Sequence, residues 1–243
     1  DGGPFNIAET SRDTDYEADT FELQLSGSTD NMDYVIGYYM LEDDAYTSNP
    51  QSYFMGGSAI VQNYSGAGES EAIFGQFSYR FAEDWSVTLG ARSTEEDKTG
   101  FKEYVGLISA SGKGSFDDTT STFILEHDFS ENTNVYFKVA EGFKAGGFNA
   151  ESSNPFAAST PYAPETIESK ELGLKGRYLD NRMMLNIAYF DNEHEDMQIS
   201  YFNADAAAAS EVINNSASIS GLEIESMTML NDSTVFPLNF STL

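Results

Sequence analysis

The stretch Ala72-Ile73-Phe74-Gly75-Gln76-Phe77-Ser78-Tyr79-Arg80-Phe81, then Ala82-Glu83-Asp84, then Trp85-Ser86-Val87-Thr88-Leu89-Gly90-Ala91-Arg92 reads as two strands around a tight turn. Ile73, Phe77, Tyr79 and Phe81 alternate with Phe74, Gln76, Ser78 and Arg80. After the turn, Trp85, Val87, Leu89 and Ala91 alternate with Ser86, Thr88, Gly90 and Arg92. Successive side chains of a strand point to opposite faces, so this pattern predicts one apolar and one polar face. The same period recurs along the chain. Phe21, Leu23 and Leu25 alternate with Glu22, Gln24 and Ser26, and Leu172, Leu174 and Tyr178 with Glu171, Gly173, Lys175 and Arg177. Leu185, Ile187 and Tyr189 alternate with Asn186 and Ala188, and Leu222 and Ile224 with Glu223 and Glu225. Helical periodicity is nearly absent, and about ten strands are expected.

A soluble sandwich also alternates, so the connections carry more information. Short polar turns are expected near residues 28–33, 82–84, 130–134, 179–182 and 231–233. Longer segments fall between them, at about 45–70, 99–116, 144–167 and 198–212. This short, long, short, long order is that of an antiparallel up-and-down barrel with small turns at one end and large loops at the other. A Greek-key sandwich rarely keeps it. Aromatics beside the short turns (Phe81, Trp85, Phe129, Tyr136, Tyr178) suit a headgroup girdle, although aromatics also favour strands in general.

Composition narrows the function classes. The 243 residues carry 40 acidic and 12 basic side chains, a formal net charge of −28. Phosphate binding needs clustered Lys and Arg, so nucleic acid is excluded as a partner and anionic lipid surfaces are disfavoured. Aromatics are 14% of the chain, which argues for a folded protein rather than an acidic disordered one. The absence of Cys excludes disulfide scaffolds, thiolate zinc sites and Cys nucleophiles. No run approaches the ~18 apolar residues of a membrane helix, a test that strands escape. Asp1-Gly2-Gly3-Pro4 has neither the basic region nor the apolar core of a signal peptide, and Phe240-Ser241-Thr242-Leu243 is strand-like, so an internal stretch of a longer chain is expected.

Four stretches go beyond pattern. They are Glu22-Leu23-Gln24-Leu25-Ser26 with Asp33-Tyr34-Val35-Ile36-Gly37-Tyr38-Tyr39; the Ala72–Arg92 region above; Asn134-Val135-Tyr136-Phe137-Lys138-Val139-Ala140-Glu141-Gly142-Phe143-Lys144-Ala145-Gly146-Gly147-Phe148-Asn149; and Tyr162-Ala163-Pro164-Glu165, Glu171-Leu172-Gly173-Leu174-Lys175, Met184-Leu185-Asn186-Ile187-Ala188-Tyr189-Phe190 and Asp196-Met197-Gln198. In this order, from about Thr20 to Ser226, the chain resembles the barrel of TonB-dependent outer-membrane receptors of the iron-complex, siderophore type. The resemblance implies an all-β transmembrane barrel of twenty-two strands with a plugged lumen, of which residues 1–243 hold a partial barrel domain. The plug, its energy-coupling box and the remaining strands are not matched. It implies a place in the outer membrane of a Gram-negative bacterium, in contact with its lipid. It also implies import of a scarce ligand such as a ferric siderophore, powered by the inner-membrane protein TonB through the plug. A passive porin and, more remotely, a soluble β-rich binding module are the rival readings.

No enzyme is expected, and no catalytic, cofactor or metal site is singled out. Gly142–Phe148 lacks the Gly-Lys-Ser/Thr ending of a phosphate loop, and its glycines suit backbone geometry where a strand leaves the membrane. Asp191, Glu193, His194, Glu195 and Asp196 are the densest acidic cluster but match no defined cation loop. Asp13, Asp15, Glu17 and Asp19 lack the Gly and Glu of a calcium loop. His127 and His194 are the two histidines, too few to argue a triad. Arg80, Arg92, Glu171, Lys175, Arg177, Glu223 and Glu225 are expected on a polar lumen wall facing the plug. Tyr46, Tyr53, Phe54, Tyr64, Phe156 and Tyr162, in the long segments, are plausible aromatic ligand contacts, since binding residues concentrate in loops.

Overall fold

The computed structural model describes residues 8–53, 58–152, 154–203 and 209–243. In chain order the strands are β1 (Ala8–Thr10), β2 (Asp13–Ser28), β3 (Met32–Tyr53), β4 (Ser58–Ala82), β5 (Trp85–Tyr104), β6 (Ile108–Ser130), β7 (Thr133–Lys144), β8 (Gly147–Phe148), β9 (Pro161–Tyr162), β10 (Glu165–Tyr178), β11 (Met183–Asn203), β12 (Ala209–Asn231) and β13 (Thr234–Thr242). A 3-10 turn lies at Pro155–Ala158. Apart from the short β8–β9 pair, the strands form one antiparallel sheet in which each long strand pairs with the next. β1 and β2 both pair with β3, so they are two segments of one edge, and β13 is the other edge. Ten positions across the sheet result, the number expected from the alternation.

All five short turns stand at one end of the sheet. The connections are two residues between β4 and β5, β6 and β7, and β12 and β13, and slightly longer at residues 29–31 and 179–182. Thr29 closes the first, its amide donating to Met32 O at 2.8 Å and its Oγ1 accepting from Met32 N at 3.1 Å. The connection after β10 places Leu179, Asp180 and Asn181 all at positive φ.

Register gathers the apolar positions of every strand onto one face. Reading across, Leu25 pairs with Ile36, Phe77 with Tyr34 and Leu89, Leu89 with Phe123, Leu125 with Phe137, Leu172 with Phe137 and Tyr189, Tyr189 with Leu222, and Ile224 with Ile187 and Phe240. The result is a continuous apolar band that no described residue covers: Leu23, Ile73 and Leu172 are 64%, 65% and 56% exposed. Water does not tolerate a patch of this extent, whereas lipid does. At its short-turn border, Phe81, Trp85, His127 and Phe129 form a chain of ring contacts, with Trp85 stacked on His127 at 4.3 Å.

The opposite face carries Arg80, Arg92, Glu171, Lys175, Arg177, Glu223 and Glu225, all on the polar side as the alternation requires. Their charges are held locally. Arg92 lies over the Tyr39 and Phe74 rings at 5.4 and 5.6 Å, Lys175 over Tyr136 at 4.8 Å, and Arg80 pairs with Asp128 at 3.3 Å. Tyr136, expected in the girdle, is on this polar face instead. It pairs with Gly173, and its hydroxyl donates to Glu171.

The long connections are built largely as strand. β3 and β4 stay paired from Met32–Tyr79 out to Tyr53–Ser58, and β5 and β6 out to Tyr104–Ile108, leaving a three-residue turn with Gly106 at φ +76°. A 25-residue strand such as β4 is about 80 Å long, whereas a membrane crossing takes ~10 tilted residues. Beyond the band both faces of the ladder are polar, so hydropathy stops alternating while the backbone stays paired. That is why these segments read as loops. Among the described residues, those between β7 and β10, within 145–164, fold as a connection with its own structure.

An arginine at Leu89 or Leu172 is expected to destabilise the barrel in lipid by about 2–4 kcal/mol, and one at polar-face Gln76 far less. Urea titration of the full-length protein refolded in vesicles reads the difference; equal costs on both faces would contradict the assignment.

Candidate functional site

The connection 145–164 turns back over the polar face and lies as a strap along the wall, fixed at two places. On one side it meets β5 and β6. Gly100 pairs with Gly112 across these strands, and the two form a hollow that receives the Phe148 ring. A Cβ on Gly100 would stand 2.6 Å from that ring, and one on Gly112 2.5 Å from it and 2.6 Å from Ser159 O. Two strand glycines are thus needed because an aromatic approaches the backbone directly.

On the other side the strap is clipped to β11 and β12 through amide side chains that imitate strand pairing. Asn149 donates to Val212 O at 3.2 Å and accepts from Val212 N at 2.7 Å. Asn214 does the same to Ala163, at 3.0 and 2.9 Å. Gln198 Nε2 donates to Ala145 O and Ala163 O at 2.9 and 3.2 Å. Ser152, fully buried, donates to Glu211 at 2.5 Å. The root is held by Glu165, which accepts from Gln198 N at 2.9 Å and contacts His194 Nδ1 at 3.3 Å. A register shift between His194 and Met197, with Asp196 at φ +52°, precedes Gln198.

Where strap meets wall, an ammonium is buried. Lys102 on β5 is 0% exposed. Its Nζ donates to Ala150 O at 2.9 Å and lies 5.7 and 5.3 Å from the Tyr64 and Tyr104 rings. Among the described residues no carboxylate is within ion-pair distance of it. Burial pushes its pKa down to about 8, with the charge of nearby Glu151 pulling the other way. Glu151 itself is gripped by Arg12, Nη1 to Oε1 at 3.2 Å and Nη2 to Oε2 at 3.4 Å, and accepts from the Tyr64 hydroxyl at 3.4 Å. Desolvation raises the Tyr64 pKa, so its hydroxyl stays a donor.

The residues singled out from sequence divide as follows. Tyr64 lies at the centre of this site, and Tyr162 at its root, paired with Gly147. Phe156 is exposed on the 3-10 turn of the strap. Tyr46 is on the opposite face, Tyr53 is at the tip of β3, and Phe54 lies outside the described residues. The acidic cluster splits: Asp191 and Glu193 sit on the apolar-band side, and His194 on the polar side against Glu165. Asp13, Asp15, Glu17 and Asp19 share the apolar-band side of β2, in its extension beyond Phe21. Among the described residues no three His, Asp or Glu side chains converge as metal ligands. Arg12, Lys102 and Glu151 were not singled out from sequence. The one available signal was the Gly100–Gly112 spacing about a turn, invisible while 99–116 read as a loop.

A family model described as TonB dependent receptor-like, β-barrel, matches residues 1–241. The chain belongs to the TonB-dependent receptors. Solved structures agree on the fold. The ferric yersiniabactin uptake receptor FyuA from Yersinia pestis superposes with a TM-score of 0.82 at 18% identity, over 98% of this chain and 37% of that one. The copper transporter OprC gives 0.75 at 13%, over 96% and 39%. The siderophore receptor PiuA from Acinetobacter baumannii gives 0.64 at 15%, over 96% and 39%. This chain thus spans well under half the length of the receptors whose fold it shares.

Two outcomes test the strap. Gly112→Val is expected to expel Phe148 and expose residues 145–164 to protease. For pH, the docked strap holds Lys102 at a pKa of about 8 against the ordinary 10.5, so it binds fewer protons than the undocked strap between these values. Docking therefore strengthens as pH rises from about 8 towards 10.5 and is flat below 8. Proteolysis rates across this range should fall, and Lys102→Met should abolish the dependence and slow cleavage at pH 7, because it removes a buried charge without a carboxylate partner.

Proposed function

We propose that residues 1–243 are part of the wall of a larger outer-membrane barrel. In this reading the barrel imports a scarce metal complex, of which a ferric siderophore is the leading class, by TonB-coupled transport. The observation that carries this is the pairing of an uncovered apolar band on one face with a charged, hydrogen-bonded wall on the other. Such a sheet suits a wall between lipid and a polar lumen. Two open edges, β2 and β13, call for further strands, since unpaired backbone groups are not stable in hydrocarbon. Family membership supports the energy coupling, and the names of the structural relatives, ferric-siderophore receptors and a copper transporter, support a metal-complex cargo. The polar wall would face the plug of the complete receptor, and the strap would stand at its outer mouth. The chemistry is binding and passage, with no catalytic step.

The test is uptake of radiolabelled ferric complexes by cells whose only such receptor is the full-length protein. Uptake that collapses on loss of TonB or on addition of a protonophore is expected. Passage of small solutes indifferent to both would contradict the reading and favour a porin.

A further inference from the structure

Four cations of this acidic sheet are neutralised by carboxylates of the same ladder. Lys98 pairs with Glu96, Lys113 with Asp97, Lys170 with Glu168 and Arg80 with Asp128, each within the strand ladder. Arg12 differs. Its carboxylate partner, Glu151, comes from the strap, and the two are joined as a two-pronged fork, the geometry by which guanidinium recognises free carboxylates. Three further features converge there. The Tyr64 hydroxyl donates to the same carboxylate, and the Arg12 guanidinium lies over the Tyr64 ring at 5.8 Å. The buried Lys102 ammonium lies 5.7 Å from the same ring, with no carboxylate within ion-pair distance among the described residues. The wall thus presents two cations and a phenol to one carboxylate, and the strap supplies it.

We infer that Arg12, Tyr64 and Lys102 form a carboxylate-binding site at the outer mouth, which Glu151 fills as an internal stand-in until a carboxylate of an incoming ligand takes its place. The Arg12 and Glu151 side chains are 55% and 53% exposed, so a solute reaches the pair and its strength is that of a screened surface contact. Exchange is then favoured by what lies beneath. When Glu151 leaves, the Ala150 carbonyl leaves with it, and Lys102 is uncovered to face the new anion in hydrated surroundings. The two fixed ends of the strap differ accordingly. The amide clips to β11 and β12 are neutral backbone mimics that a carboxylate does not challenge, so residues 150–152 lift, parting Ser152 from Glu211, while Asn149 stays clipped to Val212 and Ala163 to Asn214. This rests on the importer reading and adds to it that the cargo carries a free carboxylate.

The experiment uses the full-length receptor with any cysteine outside residues 1–243 replaced and one introduced by Ser152→Cys, a position with no exposure in the docked strap. Maleimide labelling at pH 7 is followed with and without citrate, a tricarboxylate probe, and with its neutral trimethyl ester at equal concentration. Citrate is expected to raise labelling at least several-fold and the ester to leave it unchanged. Glu151→Gln should label quickly without citrate, while Arg12→Gln and Lys102→Met should lose the response to citrate. Equal labelling with citrate and ester, or an unchanged rate in Glu151→Gln, would overturn the inference. Should Ser152→Cys fail to give a heat-modifiable barrel, Ala150→Cys reports on the same lift. Because labelling reads binding alone, a citrate response without TonB-dependent uptake would sink the importer reading and leave the site standing; uptake without the response does the reverse.

Discussion

Backbone hydrogen bonding is the constraint on which the rest of this structure depends. A wall one strand thick, with an apolar face that no described residue covers, has no packed core to hold it. Among the described residues only Tyr64, Ala72, Phe116, Ala145 and Ala158 are buried hydrophobics. What holds the sheet is the ladder, in which each strand is paired along most of its length with its neighbours in sequence. In hydrocarbon an unpaired amide or carbonyl costs several kcal/mol, so the ladder is both the cohesion and the condition for crossing. The side chains are then free to differ completely between the two faces, which is what a wall between lipid and a polar lumen needs.

The strap obeys the same rule by other means. It leaves the ladder at Lys144 and rejoins it at Glu165, and its own backbone needs partners in between. Asn214 and Gln198 provide them with side-chain amides, which offer the donor and acceptor pair of a peptide group, and the strap's Asn149 offers the same pair to the Val212 backbone. Close approach is gained at Gly100 and Gly112, where absent side chains admit Phe148. The one arrangement that runs against stability is the covered Lys102. A buried ammonium with one carbonyl and two ring faces for company is the place where the strap is weakest. That weakness and the carboxylate beside it are what give the strap a use.

How far the sequence led follows from what each residue type reports. Alternation located the turns and placed Arg80, Arg92, Glu171, Lys175, Arg177, Glu223 and Glu225 on one face, because period two is fixed by strand geometry alone. It stopped at the rim of the band, where both faces are wet and hydropathy no longer distinguishes them; there the ladders of β3–β4 and β5–β6 passed for loops. Tyr136 was misplaced for a related reason: an aromatic near a turn suits a girdle on composition, but its register puts it on the polar side with Glu171. The resemblance carried by Gly142–Asn149 and Tyr162–Glu165 marked the two roots of the strap without showing that they meet. Arg12, Tyr64, Lys102 and Glu151 are brought together across as many as 139 positions of sequence, and no local pattern encodes such a contact.

The central claim, one face in lipid and one in water, is tested most directly by scanning single cysteines from Ser86 to Arg92 in the full-length receptor in bilayers. Each carries an environment-sensitive fluorophore and is read against a brominated-lipid quencher and a water-soluble one. A membrane wall gives strict alternation, with lipid quenching at 87, 89 and 91 and aqueous quenching at 86, 88, 90 and 92. Aqueous quenching at every position, or lipid quenching without alternation, would contradict it.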